Sequence, residues 1–352
     1  MPLSNFAKIT MNSIRKVIIA NNNIKFFALK LVNNYSFQSR TRKLLASKDI
    51  VVPPIMVFSI TNQCNLSCSG CYHRAKKEKT QKKELSTEKI ASLLSEAEQL
   101  GVGVFVIAGG EPLIIPSLFE MLSKFPKIIF FVFTNGVLLD RSQINLVEKS
   151  KNIILVFSAE GDKRSTDSRR GEGMYDAVIN KIQLCNEANI AFGTSCTLTS
   201  ENIDNILSEQ YISSMISKKC HLFFFPEFVA ISPTDYKLVP DNQQREYIAN
   251  TISTLRKKYP AVFFTSSDED QFGGCLGAGK GFLHINAYGD VEPCPMAPFS
   301  DINLNKYTLK DGLKSKLFSE IRNSEALFDE KTSKSGCSLW DKRDWVRSIS
   351  QQ

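Results

Sequence analysis

The stretch Cys64-Asn65-Leu66-Ser67-Cys68-Ser69-Gly70-Cys71 places three thiols close together, directly after a short apolar run at residues 55–60. Thiolates are soft ligands that favour iron–sulfur clusters, zinc and copper(I). A four-iron cluster with a full ligand set takes four cysteines, so three cysteines leave one iron open to a reactive molecule. Structural zinc sites usually show paired C-x2-C arms, and no second arm follows here. The spacing therefore favours an iron–sulfur cluster over zinc.

The same spacing is typical of the radical S-adenosylmethionine (radical SAM) enzymes, and the chain resembles them. A second motif, Gly109-Gly110-Glu111-Pro112, follows the next predicted strand. The resemblance implies a [4Fe–4S] cluster on Cys64, Cys68 and Cys71, whose open iron binds the methionine part of S-adenosylmethionine. It also implies that one electron from the cluster splits the cofactor's sulfonium and releases a 5′-deoxyadenosyl radical.

Further cofactor contacts are implied by the same resemblance. Gly109, Gly110 and Glu111 are expected to bind the cofactor's amino group. Ser158 would contact the ribose or the carboxylate, and Arg170 the carboxylate, since a guanidinium pairs with it in bidentate fashion. The family often has an aromatic residue or histidine before the third cysteine, where this chain has Gly70, so Tyr72 becomes the candidate for adenine stacking. Ser195 and Thr197 are weaker candidates.

Apolar runs alternate with amphipathic segments along most of the chain, which is typical of parallel β/α units. Strands are predicted near residues 55–60, 102–108, 128–134, 153–158, 190–197 and 221–225, and helices near 87–100, 117–125, 141–150, 174–188, 203–216 and 240–259. We therefore expect an α/β fold: a partial (β/α)6 TIM-type barrel with a small C-terminal iron–sulfur domain. The expected domains are 1–50, 51–260 and 261–352. Sites in such barrels lie at the carboxyl ends of the strands, where both motifs fall.

The net charge of +8 resides entirely in residues 1–50, which hold nine Lys and Arg and one acidic residue, Asp49. The rest of the chain is neutral, so we expect no nucleic-acid partner. Apolar residues at helical spacing accompany these bases: Ile14, Val17, Ile18, Ile24, Phe27, Ala28 and Leu31. This pattern suits a helix lying on a membrane surface or a partner, but we favour a helix packed on the enzyme's own core, with its Lys and Arg in solvent. The odd number of cysteines and the lack of a secretory signal predict a cytoplasmic location.

A second cysteine set follows residue 260: Cys275, Cys294 and Cys337. Gly289 lies between the first two, in a hairpin predicted at residues 282–286 and 291–292. The spacing resembles the SPASM or twitch extension of radical SAM proteins and implies an auxiliary [4Fe–4S] cluster. The usual closing C-x2-C is incomplete, since Trp340 stands where the last cysteine would be. Either a residue such as Asp341 completes the cluster, or one iron is open there too.

We therefore predict an enzyme that abstracts hydrogen from a peptide or protein side chain or from a small metabolite. It would need an external electron donor such as flavodoxin or ferredoxin. The alternatives are a non-catalytic iron–sulfur electron carrier and a zinc-binding interaction module. No acid/base residue is identified; His73, beside Cys71, is the only histidine near the chemistry, and His284 is expected to be structural. Cys185, Cys196 and Cys220 are expected to be buried as small apolar residues.

Overall fold

The computed structural model describes residue 17 and residues 22–75, 82–266, 274–328 and 333–351. Its centre is one sheet of nine strands: β1 (Ile55–Ser59), β2 (Val104–Ala108), β3 (Ile129–Thr134), β4 (Ile153–Ser158), β5 (Phe192–Ser195), β6 (Leu222–Phe225), β7 (Val262–Thr265), β8 (Phe282–Ile285) and β9 (Val291–Glu292). The spatial order is β7-β6-β5-β4-β3-β2-β1-β8-β9. Every neighbouring pair is parallel except β8 and β9. The predicted α/β class with a barrel-type parallel sheet is confirmed.

Helices precede, connect and follow the strands. They are α1 (Asn22–Ala46), α2 (Tyr72–Ala75), α3 (Thr87–Gln99), α4 (Leu118–Ser123), α5 (Arg141–Ser150), α6 (Lys163–Arg170), α7 (Met174–Glu187), α8 (Ile203–Ile206), α9 (Glu209–Ser217), α10 (Asn242–Lys258), α11 (Leu309–Gly312), α12 (Lys316–Asn323), α13 (Ser338–Asp341) and α14 (Arg343–Ser350). Short 3₁₀ turns lie at Pro112–Ile114, Pro233–Leu238 and Glu325–Leu327. Helix α3 is amphipathic and capped. Ser86 caps its first turn, and one face is buried through Ile90, Leu93, Leu94 and Ala97.

The sheet continues past residue 260, where the sequence predicted a domain boundary. The missed strand β7 lies directly after α10 and pairs with β6. The predicted hairpin is present as β8 and β9, and β8 pairs in parallel with β1 on the side opposite β2. In the second cysteine set, Cys275 lies between β7 and β8, and Cys294 and Cys337 follow β9, so the set is joined to strands that extend the barrel sheet. The separate domain at 261–352 remains a prediction.

Helix α1 covers the amino-terminal ends of the strands. Phe27, with Val17 before the helix, is buried in a cluster with residues in the first two positions of β3, β4, β6 and β7. Gln38 Nε2 donates to the Lys127 carbonyl, 3.0 Å away, just before β3. Arg42 donates to the Gly101 carbonyl, just before β2. The described part of the extension thus packs on the enzyme's own core, which is the interpretation favoured above. The apolar positions Ile14 and Ile18 lie outside the described residues.

Candidate metal and cofactor site

The loop with Cys64, Cys68 and Cys71 leaves the carboxyl end of β1. Cys64 is exposed, and Cys68 and Cys71 are half-buried. Partial burial raises the pKa of the Cys64 thiol, and the negative charges of Glu111, Cys68 and Cys71 raise it further. Over the described residues, no group of three or more His, Cys, Asp or Glu side chains is assembled for an ion. Three accessible, neighbouring thiols on one loop nevertheless make a donor set that fits an iron–sulfur cluster.

The Gly109–Gly110–Glu111 segment packs against the chain that leads into the cysteine loop. Gly110 N donates to Thr61 O and Glu111 N donates to Gln63 O, both at 2.8 Å. A Cβ atom at Gly109 would overlap Thr61 O, and one at Gly110 would overlap Gln63 O. The glycines are therefore needed for this backbone contact, whereas the sequence suggested that they admit a ligand.

Glu111 is almost completely buried, at 1% exposure. Its Oε1 accepts from Thr134 Oγ1 at 2.7 Å and from Leu113 N at 3.1 Å, and its Oε2 accepts from Asn135 N at 2.8 Å. Burial raises the pKa of this carboxyl, while these donors act in the opposite direction. A carboxylate offers about four acceptor positions. Three of them accept hydrogen bonds here, so Glu111 links the motif to β3 and has one position left for a ligand. The amino-group contact stays a prediction.

Three more contacts hold the cysteine loop, and the sequence did not reveal them. Asn135 Nδ2 donates to Asn65 Oδ1 at 2.8 Å. Glu84 Oε1 accepts from Asn62 N at 2.7 Å, at the base of the loop. Ser69 N donates to the Arg169 carbonyl at 2.9 Å. The loop is therefore braced from β3, from the segment before α3 and from α6.

Arg170 lies at the end of α6 and is largely buried. Its Nε donates to Glu160 Oε1 at 2.9 Å, and its Nη2 donates to the same oxygen at 2.5 Å. Burial would lower the pKa of Arg170, but Glu160 and then Cys68 raise it, which also places the guanidinium near the cysteine loop. Glu160 therefore holds the Arg170 guanidinium in place. Its contact with the cofactor carboxylate stays a prediction.

Tyr72 begins α2 directly after Cys71. Burial raises the pKa of its hydroxyl, and the thiols of Cys71 and Cys294 raise it further, followed by Glu292. The buried hydroxyl therefore lies close to thiols of both cysteine sets. Gly70 adopts a φ of +64°, and a Cβ there would lie 3.2 Å from the Phe228 ring. An aromatic side chain at position 70 would be strained in this backbone, and adenine stacking on Tyr72 stays a prediction.

Ser158 and Ser195 are register partners at the carboxyl ends of β4 and β5. Ser158 is half-buried and Ser195 is buried. Thr197 is half-buried beyond β5. These positions share the edge of the sheet from which the cysteine loop leaves, as a cofactor contact requires, and their roles remain predictions.

The second cysteine set comes from three segments that the fold brings together. Ala278 N donates to the Pro293 carbonyl at 2.9 Å, so the Cys275 and Cys294 segments touch. A Cβ at Gly277 would lie 3.6 Å from Leu339 Cδ1, so the Cys337 segment lies beside them. Gly277 N and Met296 N each donate to the sulfur of the cysteine two residues earlier, at 3.4 Å. Amide donors to sulfur are a feature of iron–sulfur sites, so this donor set also fits a cluster.

Asp341, the candidate fourth ligand, has another partner set. Its Oδ2 accepts from Ser333 Oγ at 2.8 Å and from Lys334 N at 2.9 Å. The carboxylate thus braces the loop that leads into Cys337, and its role as a ligand stays a prediction.

The remaining cysteines, Cys185, Cys196 and Cys220, are completely buried, as predicted. Burial raises the pKa of each of these thiols to about 12.

Comparison with known proteins agrees with this geometry. Residues 58–208 match the sequence model of the Radical SAM superfamily. The chain is 28% identical over 223 residues to the Fe-coproporphyrin III synthase of Methanosarcina barkeri, covering 60% of this chain and 55% of that protein. It is 23% identical over 303 residues to the AdoMet-dependent heme synthase of the same organism, covering 78% and 86%. The chain thus spans about half of the first relative and most of the second.

Solved structures share the fold. Streptococcus suis SuiB bound to precursor peptide SuiA superposes with a TM-score of 0.64 at 21% identity, over 86% of this chain and 73% of SuiB. Native anSMEcpe with bound AdoMet gives a TM-score of 0.59 at 17% identity, over 76% and 81%. The cysteine motif at the carboxyl end of β1 and the glycine motif at the end of β2 both lie within residues 58–208, so this part of the chain is similar to the Radical SAM superfamily in sequence and in the placement of its motifs.

Proposed function

We propose that the chain is a radical SAM enzyme that abstracts hydrogen from a peptide side chain or a small molecule. Cys64, Cys68 and Cys71 would hold a [4Fe–4S] cluster at the carboxyl end of β1. Gly109 to Glu111, Ser158 and Arg170 would bind and orient S-adenosylmethionine beside it. When bound, the cluster and cofactor supply a 5′-deoxyadenosyl radical by reductive cleavage. The observation that carries this proposal is the three-thiol loop, braced at the edge where the second motif and Arg170 meet.

The test is production of 5′-deoxyadenosine under reducing conditions. Cys64→Ala, Cys68→Ala and Cys71→Ala should each abolish it, because each leaves the cluster short of a ligand. Cys220→Ala is the matched control, since this thiol is buried away from the loop. Normal cleavage in any of the three loop variants would refute the assignment. A colourless protein that retains zinc would instead support the interaction-module alternative.

A half-buried aromatic cluster on the inner face of the barrel bears on the substrate. Phe131 and Phe264 pack on Phe224 with ring centroids 5.5 and 4.6 Å away. Alternation along each strand puts these rings on the same face as the buried cluster beneath α1. Such a wall suits an apolar or aromatic group of the substrate. A peptide side chain meets this requirement, by analogy with SuiB. A tetrapyrrole also meets it, by analogy with the two synthases.

Substrate-dependent cofactor cleavage would separate the two classes. A peptide encoded beside the gene should stimulate 5′-deoxyadenosine formation if the substrate is a peptide, and iron coproporphyrin should do so if it is a tetrapyrrole. The electron would come from an external flavodoxin or ferredoxin.

We further propose an auxiliary [4Fe–4S] cluster on Cys275, Cys294 and Cys337, supported by the convergence of their segments.

The outer face of α1 supports peripheral membrane contact as a further part of the proposal. Phe37 and Leu44 are 65% and 61% exposed, and the exposed Arg40 and Lys43 lie on the same side of the helix. None of the helices in the described part of the chain has the length and apolar composition to cross a bilayer. Basic residues contribute about 1 kcal/mol each near an anionic surface, so contact would be reversible and sensitive to salt.

Co-sedimentation with phosphatidylserine vesicles tests this contact. Removing α1 would also unpack the lower end of the barrel, so point variants of the outer face give a cleaner test than a chain that begins at Val51. Arg40→Gln/Lys43→Gln should reduce pelleting at low salt, and Lys306→Gln/Lys310→Gln, exposed elsewhere, should not. Absence of pelleting by the intact chain would refute membrane contact.

A further inference from the structure

A chain of buried polar side chains crosses from the barrel to the second cysteine set. Ser59 Oγ is hydrogen-bonded to His284 Nε2 at 2.8 Å, and His284 Nδ1 is hydrogen-bonded to Glu292 Oε2 at 2.6 Å. Asn286 Nδ2 donates to Glu292 Oε1 at 2.7 Å. Ser59, His284 and Glu292 are 3%, 4% and 4% exposed. Buried polar groups are normally satisfied in this way, but a carboxylate buried this deeply calls for a reason.

The two ends of this chain lie at the two cysteine sites. Ser59 ends β1, and a Cβ on Gly109 would lie 3.3 Å from its Cα. Glu292 ends β9, two residues before Cys294. His284 joins them because β8 pairs with β1, with His284 opposite Val57. The path thus begins beside the glycine motif and ends beside the auxiliary cysteines.

Tyr72 lies close to both cysteine sets and to Glu292. Burial raises the pKa of this tyrosine most, and Cys71, Cys294 and Glu292 follow in that order. The pKa of the Tyr72 hydroxyl is therefore raised by a thiol of the first set, a thiol of the second set and the Glu292 carboxylate. In a medium of low dielectric constant, such charges act strongly on one another.

The order serine, histidine, carboxylate is also that of an acyl-transfer triad. That activity needs a serine that a substrate can reach, and Ser59 is enclosed at the end of a central strand. A positioning role fits the burial better, since His284 and Asn286 each hold a different oxygen of the same carboxylate.

We propose that Glu292, held by His284 and Asn286, is a positioning carboxylate that sets the reduction potential of the auxiliary cluster. This inference rests on the auxiliary cluster proposed above. The potential of an iron–sulfur cluster depends on local charge and hydrogen bonding. Reduction adds negative charge, so a buried carboxylate two residues from Cys294 disfavours the reduced form. The hydrogen bonds from Glu292 to His284 and from His284 to Ser59 hold that charge at a fixed place relative to the barrel.

The test is a redox titration of the iron-loaded protein, followed by electron paramagnetic resonance, with iron content and melting temperature measured alongside. Glu292→Gln keeps the size of the side chain and an acceptor for His284 but removes the charge. We expect unchanged iron content and a shift of the auxiliary potential to more positive values, larger than any shift of the first cluster. His284→Gln loses the short bond and leaves the charge less compensated, so the auxiliary potential should move to more negative values.

Two controls separate tuning from a purely structural role. His221 is also buried, and its Nδ1 is hydrogen-bonded to the Pro260 carbonyl at 2.8 Å. His221→Gln should affect the melting temperature and leave both potentials in place. Ser59→Ala keeps the Glu292 charge and should give the smallest shift among the three residues of the path.

Opposite shifts in Glu292→Gln and His284→Gln would support the inference. Full iron content with an unmoved auxiliary potential in Glu292→Gln would overturn it and leave the proposed enzyme intact. If the wild-type protein holds only the first cluster, the auxiliary cluster and this inference both fall, while S-adenosylmethionine cleavage still stands on its own test.

Discussion

The two cysteine sets differ in how the chain builds them. The first lies in one loop after β1, and it is held by backbone contacts with the glycine motif and by side chains from β3 and the segment before α3. The second comes from three separate segments that meet around Gly277, Pro293 and Leu339. A local site depends on a few close backbone contacts, whereas a dispersed site depends on the folding of the whole C-terminal part.

The largest expected effect follows from the backbone contact at Gly110. Gly110→Ala would drive a methyl group into the Gln63 carbonyl, which cannot move aside without shifting the cysteine loop. Overpacking costs about 1–3 kcal/mol in well-packed sites, so we expect 5′-deoxyadenosine production to fall by roughly a hundredfold, about 3 kcal/mol. Iron held by the first site should fall with it, and iron held by the second should stay.

Gly277→Ala is the matched change at the second set. A Cβ there would lie 3.1 Å from the Pro293 carbonyl and 3.4 Å from Cys275 Sγ, which is tight but not an overlap. We expect cofactor cleavage close to that of the wild type. Equal losses of cofactor cleavage from Gly110→Ala and Gly277→Ala would contradict the contrast between a local site held by close backbone contacts and a dispersed site.

The same contrast explains what could be predicted from the sequence. Strands β1 to β6 follow from apolar runs, and the first cysteine loop follows from spacing, because both are local features. Strand β7 was missed since the run Val262–Thr265 is short and borders a polar stretch. The Ser59–His284–Glu292 path could not be predicted, because it depends on β8 pairing with β1, across more than half of the chain.

The Cys275→Ala/Cys294→Ala/Cys337→Ala variant tests the independence of the two sets. If each set holds a four-iron cluster, iron should fall from about eight to about four per chain. Cofactor cleavage should persist, because the first loop is braced by contacts that do not involve these cysteines. Iron quantitation and 5′-deoxyadenosine formation are measured on the same preparation. Unchanged iron would remove the auxiliary cluster.

The smallest effect is expected at a single side-chain brace of the first loop. Asn65→Ala removes the 2.8 Å bond with Asn135 while leaving the backbone contacts at Thr61 and Gln63 in place. One hydrogen bond contributes about 1 kcal/mol, so affinity for S-adenosylmethionine should weaken by about fivefold. Iron content should not change.

Asn186→Ala is the control for this measurement, because Asn186 Nδ2 bonds the Lys218 carbonyl at 2.8 Å on the helical layer, away from the loop. It should lower stability to a similar degree and leave cofactor affinity unchanged, as measured by equilibrium dialysis. A loss of iron in Asn65→Ala would mean that the loop depends on each brace separately. A loss of affinity alone would mean that the backbone contacts hold the cysteines and that the Asn135 contact only adjusts where the cofactor meets them.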